Sequence, residues 1–275
     1  MEKLLTKCKC AMWQNKKRKC ASSANKKMGM KKLIYRIIGK KHIYEILKKN
    51  DFLQLINKKI QAGQKKKLCN KVQKYGYSII EEVYGIFADL NLDIWVDWGT
   101  LLGYIREQRI LLHDDDIDFS AYMMSEQKRN ELIEIMSKCG YVQVREWHDG
   151  DKVIMDTFEK YGVRFDIEYQ EVVSENKICT VIFEKEEQTR SYFEKEVEII
   201  EGMGRYIYET SNPAKVIIEC FANGKRCPLP NNYTERVAEL YGPNWRIPVI
   251  DFDWHDINNY MYEGFDHNLG GWMIR

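Results

Sequence analysis

Between His113 and Phe119 the chain reads His-Asp-Asp-Asp-Ile-Asp-Phe, so four carboxylates fall within five residues. Ionised carboxylates packed this closely repel one another strongly unless positive charge sits between them. Ile117 and Phe119 alternate with the acids in the two-residue period of a strand, which sends them to the core and puts Asp116 and Asp118 on the opposite face, with an extended Asp114 in phase. Any fold adopted by this chain must bury one side of that strand and offer a cation to the other. Hard oxygen ligands in this array suit Mg2+ or Mn2+. A calcium loop of the EF-hand type does not fit, because counting from Asp114 puts Phe119 at position six and Ser125 at position twelve, where that loop needs Gly and Glu. A solvated acidic turn is the bland alternative, but such turns seldom carry Ile and Phe at strand spacing among their acids.

A metal-bound acid pair is the equipment of phosphoryl transfer, in which a cation neutralises phosphate oxygens and a further acid or metal prepares the attacking hydroxyl. Asp116 and Asp118 fit the first task. Asp166, in Val163-Arg164-Phe165-Asp166-Ile167-Glu168, lies on a later alternating segment that can run beside the first, and is the candidate third carboxylate and general base. The competing reading is an Asp on the solvent face of an edge strand. Upstream, Trp98-Gly99-Thr100-Leu101-Leu102-Gly103 places a turn glycine and a capping hydroxyl before a helix start, where free N–H groups bind phosphate; Gly99 and Thr100 are candidate contacts. Arg106, one or two turns on, is another, with an exposed ion pair as its ordinary alternative.

The surrounding pattern predicts an α+β fold, a mixed sheet flanked by helices. Residues 1–29 lack hydrophobic periodicity and read as a flexible basic leader, whose Cys8, Cys10 and Cys20 lack the paired second half of a metal knuckle. Residues 30–91 read as a helical basic region, with Ile79, Ile80, Val83, Ile86, Phe87 and Leu90 at helical spacing. A catalytic domain follows over 92–250: a strand at Ile94 to Val96, a helix capped by Thr100, a strand over 116–122, a helix near Leu132 to Cys139 closed by Gly140, and further alternating strands. Asn212-Pro213 is expected to start a helix through Phe221, and a helix over 233–241 completes an α-rich extension before a C-terminal tail at 251–275.

The formal charge of +2 conceals a lysine-rich start and an acidic middle. No apolar run approaches the roughly 18 residues that a membrane-spanning helix requires, and the start lacks the apolar stretch of a signal peptide, so a cytoplasmic location is expected. Leu33, Ile34, Ile37 and Ile38 among the lysines also fit an amphipathic helix on an anionic membrane, or an ordinary solvated helix packed on the domain. Eight cysteines without framework spacing read as reduced thiols. Nucleic-acid binding is not expected, since the basic leader carries no recognition motif.

At Gly99 to Gly103, Arg106 and Asp114 to Asp118 the chain resembles the LicD/fukutin-like phosphotransferase family, whose hallmark is a Gly-Thr-Leu-Leu-Gly turn, an Arg shortly after and an Asp-Asp-Asp-Ile-Asp strand. The spacing between these pieces matches without gaps. The strand with Asp166 and the segment Leu240-Tyr241-Gly242-Pro243-Asn244-Trp245-Arg246-Ile247-Pro248 extend the resemblance over roughly Ile79 to Pro248. The family often has Gly where Arg109 stands and Pro-Trp where Leu112 and His113 stand, which bears on loop shape and leaves the acids untouched. The resemblance implies a nucleotidyltransferase-like fold and the transfer of phosphocholine or a polyol phosphate from a CDP-linked donor to a glycan or lipid-linked glycan, releasing CMP. It implies metal on Asp116 and Asp118, supported by Asp114. Lys225 and Arg226 are candidates for the donor diphosphate, against a solvated loop after Gly224. The alternative activity is nucleotide transfer to a small molecule with release of pyrophosphate.

Overall fold

A computed structural model describes residues 51–249, 252, 255 and 260–274, with side chains from 57 onward. The leader and the amphipathic segment around Leu33 to Ile38 lie outside the described residues. The chain divides into two units, 1–63 and 64–275; the described part of the first is helical. Helix α1 spans Asp51–Asp89. Its apolar positions Val72, Ile79, Ile80, Val83, Ile86 and Phe87 fall on one helical face and are buried, as is Leu90 just past its end. Each such burial is worth roughly 1.5–3 kcal/mol, so this face anchors α1 to the sheet.

The order helix, strand, helix, strand is realised as α1, β1 (Ile94–Val96), α2 (Trp98–Glu107) and β2 (Asp116–Tyr122). Helix α3 (Glu126–Lys138) follows, capped by the Ser125 hydroxyl, which accepts from Lys128 N, and ended near Gly140 at φ +86°. Then come β3 (Val142–Asp149), β4 (Lys152–Lys160), β5 (Val163–Ser174), β6 (Lys177–Glu184), β7 (Arg190–Glu194) and β8 (Val197–Ser211). The last elements are β9 (Val216–Cys220), β10 (Arg226–Pro230), α4 (Tyr233–Tyr241) and β11 (Tyr260–Ile274).

Strands β5, β4, β3, β11, β8 and β6 pair in that order, and β6 pairs back onto the far end of β5, so the sheet closes on itself like a barrel. β2 and β1 extend it from the first half of β5, and β2–β5 is the parallel pair. Trp147, Ile154, Val181, Ile200, Met203 and Leu269 form one apolar cluster within the closed strands. A larger cluster joins α1, α2, α3 and α4 to β1, β2 and β5.

The C-terminal third departs from the expected α-rich extension. The segment after Asn212-Pro213 is not a helix: Val216, Ile217 and Ile218 are β-branched and pair with Pro230, Leu229 and Pro228 in a two-stranded ribbon, whose free edge tolerates proline. Residues 260–274, expected as a tail, are a barrel strand between β3 and β8. Helix α4 forms where the pattern placed it.

Helix α4 is tied to the junction of β1 and α2 by a buried ion pair between Arg236 and Asp97. The fully buried Asp97 carboxylate receives Arg236 Nε at 2.8 Å, a further close guanidinium contact, and the Ser120 hydroxyl at 2.6 Å. Arg236 also donates to Thr210 Oγ1 at 2.7 Å. Removing one partner of a buried pair leaves an uncompensated charge, at a cost of about 3–5 kcal/mol. Arg236→Met should therefore lower the urea midpoint of unfolding markedly, and adding Asp97→Asn to it should recover part of the loss; equal midpoints for wild type and Arg236→Met would contradict this role.

Candidate active site

The acids are assembled by strand register. Asp118 on β2 faces Asp166 on β5 across the parallel pair, and oxygens of Asp116, Asp118 and Asp166 lie within 4.8 Å of one another. Ile117, Phe119, Phe165 and Ile167 point the other way and are fully buried. Asp118 and Asp166 are half-buried, and Asp116 stands at the open mouth.

Asp97 sets the position of this strand. It caps α2, its Oδ1 accepting from Trp98 N at 3.0 Å, and its own N–H donates to the Asp118 carbonyl at 3.0 Å. Thr100, expected as the cap, sits one turn in, where its hydroxyl accepts from Asp118 N at 3.0 Å. Trp98 is held at φ +45°, a left-handed conformation that costs a non-glycine residue about 1–3 kcal/mol. Its indole N–H donates to the buried Glu168 at 3.1 Å, and burial, then repulsion from Asp97, pushes Glu168 up to about 7.

Glycines let α2 approach. A Cβ on Gly103 would lie 2.7 Å from the Arg109 carbonyl, and one on Gly99 would stand 3.4 Å and 3.5 Å from carboxylate oxygens of Asp114 and Asp118. Helix α1 holds the approach loop: Gln73 donates to the Leu111 carbonyl at 3.0 Å, and Ile110 N donates to Tyr77 at 3.2 Å.

Asp114 lies in the turn before β2, beside Asp118 across Gly99, and outside the group of three whose oxygens converge. One of its oxygens is buried without a hydrogen-bond partner. Arg106 and Lys65 pull its charge the favourable way, yet burial pushes Asp114 up to about 6. Burial, then repulsion from Asp166, Asp115 and Asp114, pushes Asp116 up to about 6, and burial with Asp116 and Asp166 raises Asp118 well above the carboxylate range. Burial likewise raises Asp166, against the pull of Arg145 and the hydrogen bond from Thr157. Three hard oxygen donors, converging and short of positive charge, fit a divalent cation.

Lys225 and Arg226 are not brought to the triad by any described contact: Lys225 Nζ pairs with Glu81 at 2.8 Å, and the Arg226 N–H donates to the same carboxylate at 3.0 Å. Residues that the sequence left unassigned complete the site. Asp97, directly before a helix start, carried an N-cap signal, whereas Arg236 and Arg145 carried none. Arg145 on β3 reaches to 3.9 Å from Asp166. Tyr241, at the end of α4, is partly buried, and its hydroxyl is raised by burial first and then by the charges of Asp118 and Asp114.

An acid whose folded pKa is raised from 3.8 to about 6 holds more protons folded than unfolded between those values, so its contribution to stability is lost as pH rises through that window. In chelator, calorimetry should show Asp116→Asn raising the melting temperature by a few degrees at pH 7 and hardly at all at pH 4. The opposite pH order would contradict the repulsion described.

Residues 91–207 match the family described as LicD/FKTN/FKRP, nucleotidyltransferase domain. An uncharacterized protein of Rickettsia prowazekii is 28% identical over 65 residues, 24% of this chain and 24% of its own, and one of Rickettsia typhi is 28% identical over 65 residues, 24% of this chain and 21% of its own. The match thus spans about a quarter of those relatives. Among solved structures, ANT(2")-Ia in complex with adenylyl-2"-tobramycin is 14% identical over 66% of this chain and 83% of that chain, with a TM-score of 0.35. Lincomycin-bound LnuA, a lincosamide antibiotic adenylyltransferase, is 13% identical over 65% and 91%, also at 0.35. Superpositions this loose carry no weight for fold or chemistry. The motif, its spacing and the domain match agree on residues 91–207, which match the LicD/FKTN/FKRP nucleotidyltransferase-domain family.

Proposed function

We propose that the chain is a metal-dependent transferase that moves a phosphorylated small alcohol, phosphocholine or a polyol phosphate, from a CDP-linked donor to a glycan or lipid-linked glycan, releasing CMP. The observation that carries the reading is the convergence of Asp116, Asp118 and Asp166 within a domain of this family. The three carboxylates are the residues to hold Mg2+ or Mn2+, with Asp114 in support. Bound there, the ion would supply positive charge to phosphate oxygens as charge develops on them.

The chain's own groups account for the rest. The acceptor hydroxyl oxygen attacks the distal phosphorus, its proton passes to Asp166, and the bond from that phosphorus to the CMP oxygen breaks. The hydroxyl of Thr157 donates to Asp166 Oδ1 and fixes the carboxylate's orientation. Gly99 keeps side-chain atoms away from Asp114 and Asp118. Thr100, through its bond to the strand, acts on position, and Arg106 acts on the charge of Asp114.

Purified protein with Mg2+ should release CMP from one of CDP-choline, CDP-ribitol or CDP-glycerol in the presence of glycan extract, and Asp116→Ala should reduce release to background. Absence of release from all three, together with pyrophosphate release from nucleoside triphosphates, would replace this reading by nucleotide transfer. The lysine-rich stretch from Lys16 to Lys67 supports peripheral contact with anionic lipid, and no helix among the described residues is long and apolar enough to cross a membrane. The full chain should float with phosphatidylserine-containing liposomes at low salt and dissociate at high salt; failure to float would remove the membrane contact.

A further inference from the structure

A cleft of about 430 Å³ opens beside the triad, with Asp116 and Asp166 at one end and Lys71, Arg145 and Arg164 on its other walls. Register explains this arrangement. Asp118, Asp166, Thr157 and Arg145 follow one another in a single row across β2, β5, β4 and β3, while Asp116, Arg164 and Glu159 form the next row. The first row therefore runs from acids on β2 and β5 to Arg145 on β3, whereas in the second Arg164 stands between Asp116 and Glu159.

The cations are not consumed by these acids to the same degree. Arg164 Nε donates to Glu159 at 3.1 Å. Arg145 is different: its side chain is 26% exposed, its nearest carboxylate is Asp166 at 3.9 Å, and its Nε is buried with no hydrogen-bond partner. Buried guanidinium N–H groups are ordinarily matched to acceptors. Lys71 crosses from α1 and lays its ammonium over Gly162, where a Cβ would come within 2.1 Å of it. It makes no hydrogen bond or ion pair with the described residues. Two cations without full partners thus share a cleft with a triad suited to a metal, the complement of a phosphate group, which takes forked guanidinium bonds and a point charge from lysine.

We infer that Arg145 and Lys71, with Arg164 at the edge, form a phosphate-binding subsite next to the metal triad, which takes a phosphate or diphosphate group of a substrate. The assignment rests on the transferase reading for the identity of that substrate, and its two sources are the donor's diphosphate and a phosphate ester carried by the acceptor. The subsite itself is a matter of binding.

Calorimetric titration of the full chain with inorganic phosphate, in Mg2+ at pH 7.5, tests it. Wild type should bind, Arg145→Gln and Lys71→Met should each weaken binding at least about tenfold, and Arg145→Lys, which keeps the charge without the fork, should lose less than Arg145→Gln, with Mn2+ affinity reduced in none of the three. Loss of phosphate affinity in Arg145→Lys equal to that in Arg145→Gln, the same affinity in all proteins, or no binding by wild type would overturn the subsite. If CDP-choline, CDP-ribitol or CDP-glycerol displaces phosphate, the group belongs to the donor; if donor and phosphate bind together, it belongs to the acceptor. Phosphate binding by a protein that never releases CMP would keep the subsite and remove the transferase reading.

Discussion

The buried carboxylate of Asp97 ties together parts of the chain that are far apart in sequence. It caps α2, receives the Ser120 hydroxyl from β2 and is neutralised by Arg236 from α4, while its backbone N–H holds the carbonyl of Asp118. Without Arg236 the cap would be an unpaired charge in the core, and without the cap α2 would lose the placement that brings Gly99 and Thr100 against the acids. The geometry of the candidate site therefore depends on an ion pair that belongs to the fold.

What this arrangement positions is a deliberate conflict of charge. Asp114, Asp116, Asp118 and Asp166 all have proton affinities raised by burial, and repulsion adds to it at the first three, from Asp115 at Asp114, from Asp166, Asp115 and Asp114 at Asp116, and from Asp116, Asp166 and Asp114 at Asp118. A side chain can be kept in such a place only if the surrounding packing over-determines it, and here the buried Ile117, Phe119, Phe165 and Ile167 do so from the opposite face. The strained Trp98 backbone, beside the same acids, is held in the same way by its cap and its indole bond. Stability given up at the cleft is what makes it receptive to a cation.

Much of this was legible in the sequence, and the limit falls where long-range pairing begins. The alternation of acids with Ile117 and Phe119 is local, so the strand and its exposed face could be read directly, and the same period placed Asp166 on a strand able to lie alongside. The family resemblance at residues 99–118 added the nucleotidyltransferase domain. Sequence reasoning placed a helix after Asn212 by weighing Pro213 as a helix start and overlooking the β-branched run Val216 to Ile218, which a ribbon partner claims. Residues 260–274 alternate weakly and gain strand character from β3 and β8 on either side, so they read as a tail. Arg236 and Arg145 lie far along the chain from what they neutralise, and no local pattern announces either.

The account stands on Asp116, Asp118 and Asp166 acting as one cation site. Titration with Mn2+ followed by electron paramagnetic resonance, on wild type and on Asp116→Asn, Asp118→Asn and Asp166→Asn, measures that directly. One bound ion per chain in wild type, with affinity reduced at least about tenfold in each variant, is the predicted result. Unchanged Mn2+ affinity in Asp166→Asn, on the strand that only folding brings to the acidic motif, would contradict it.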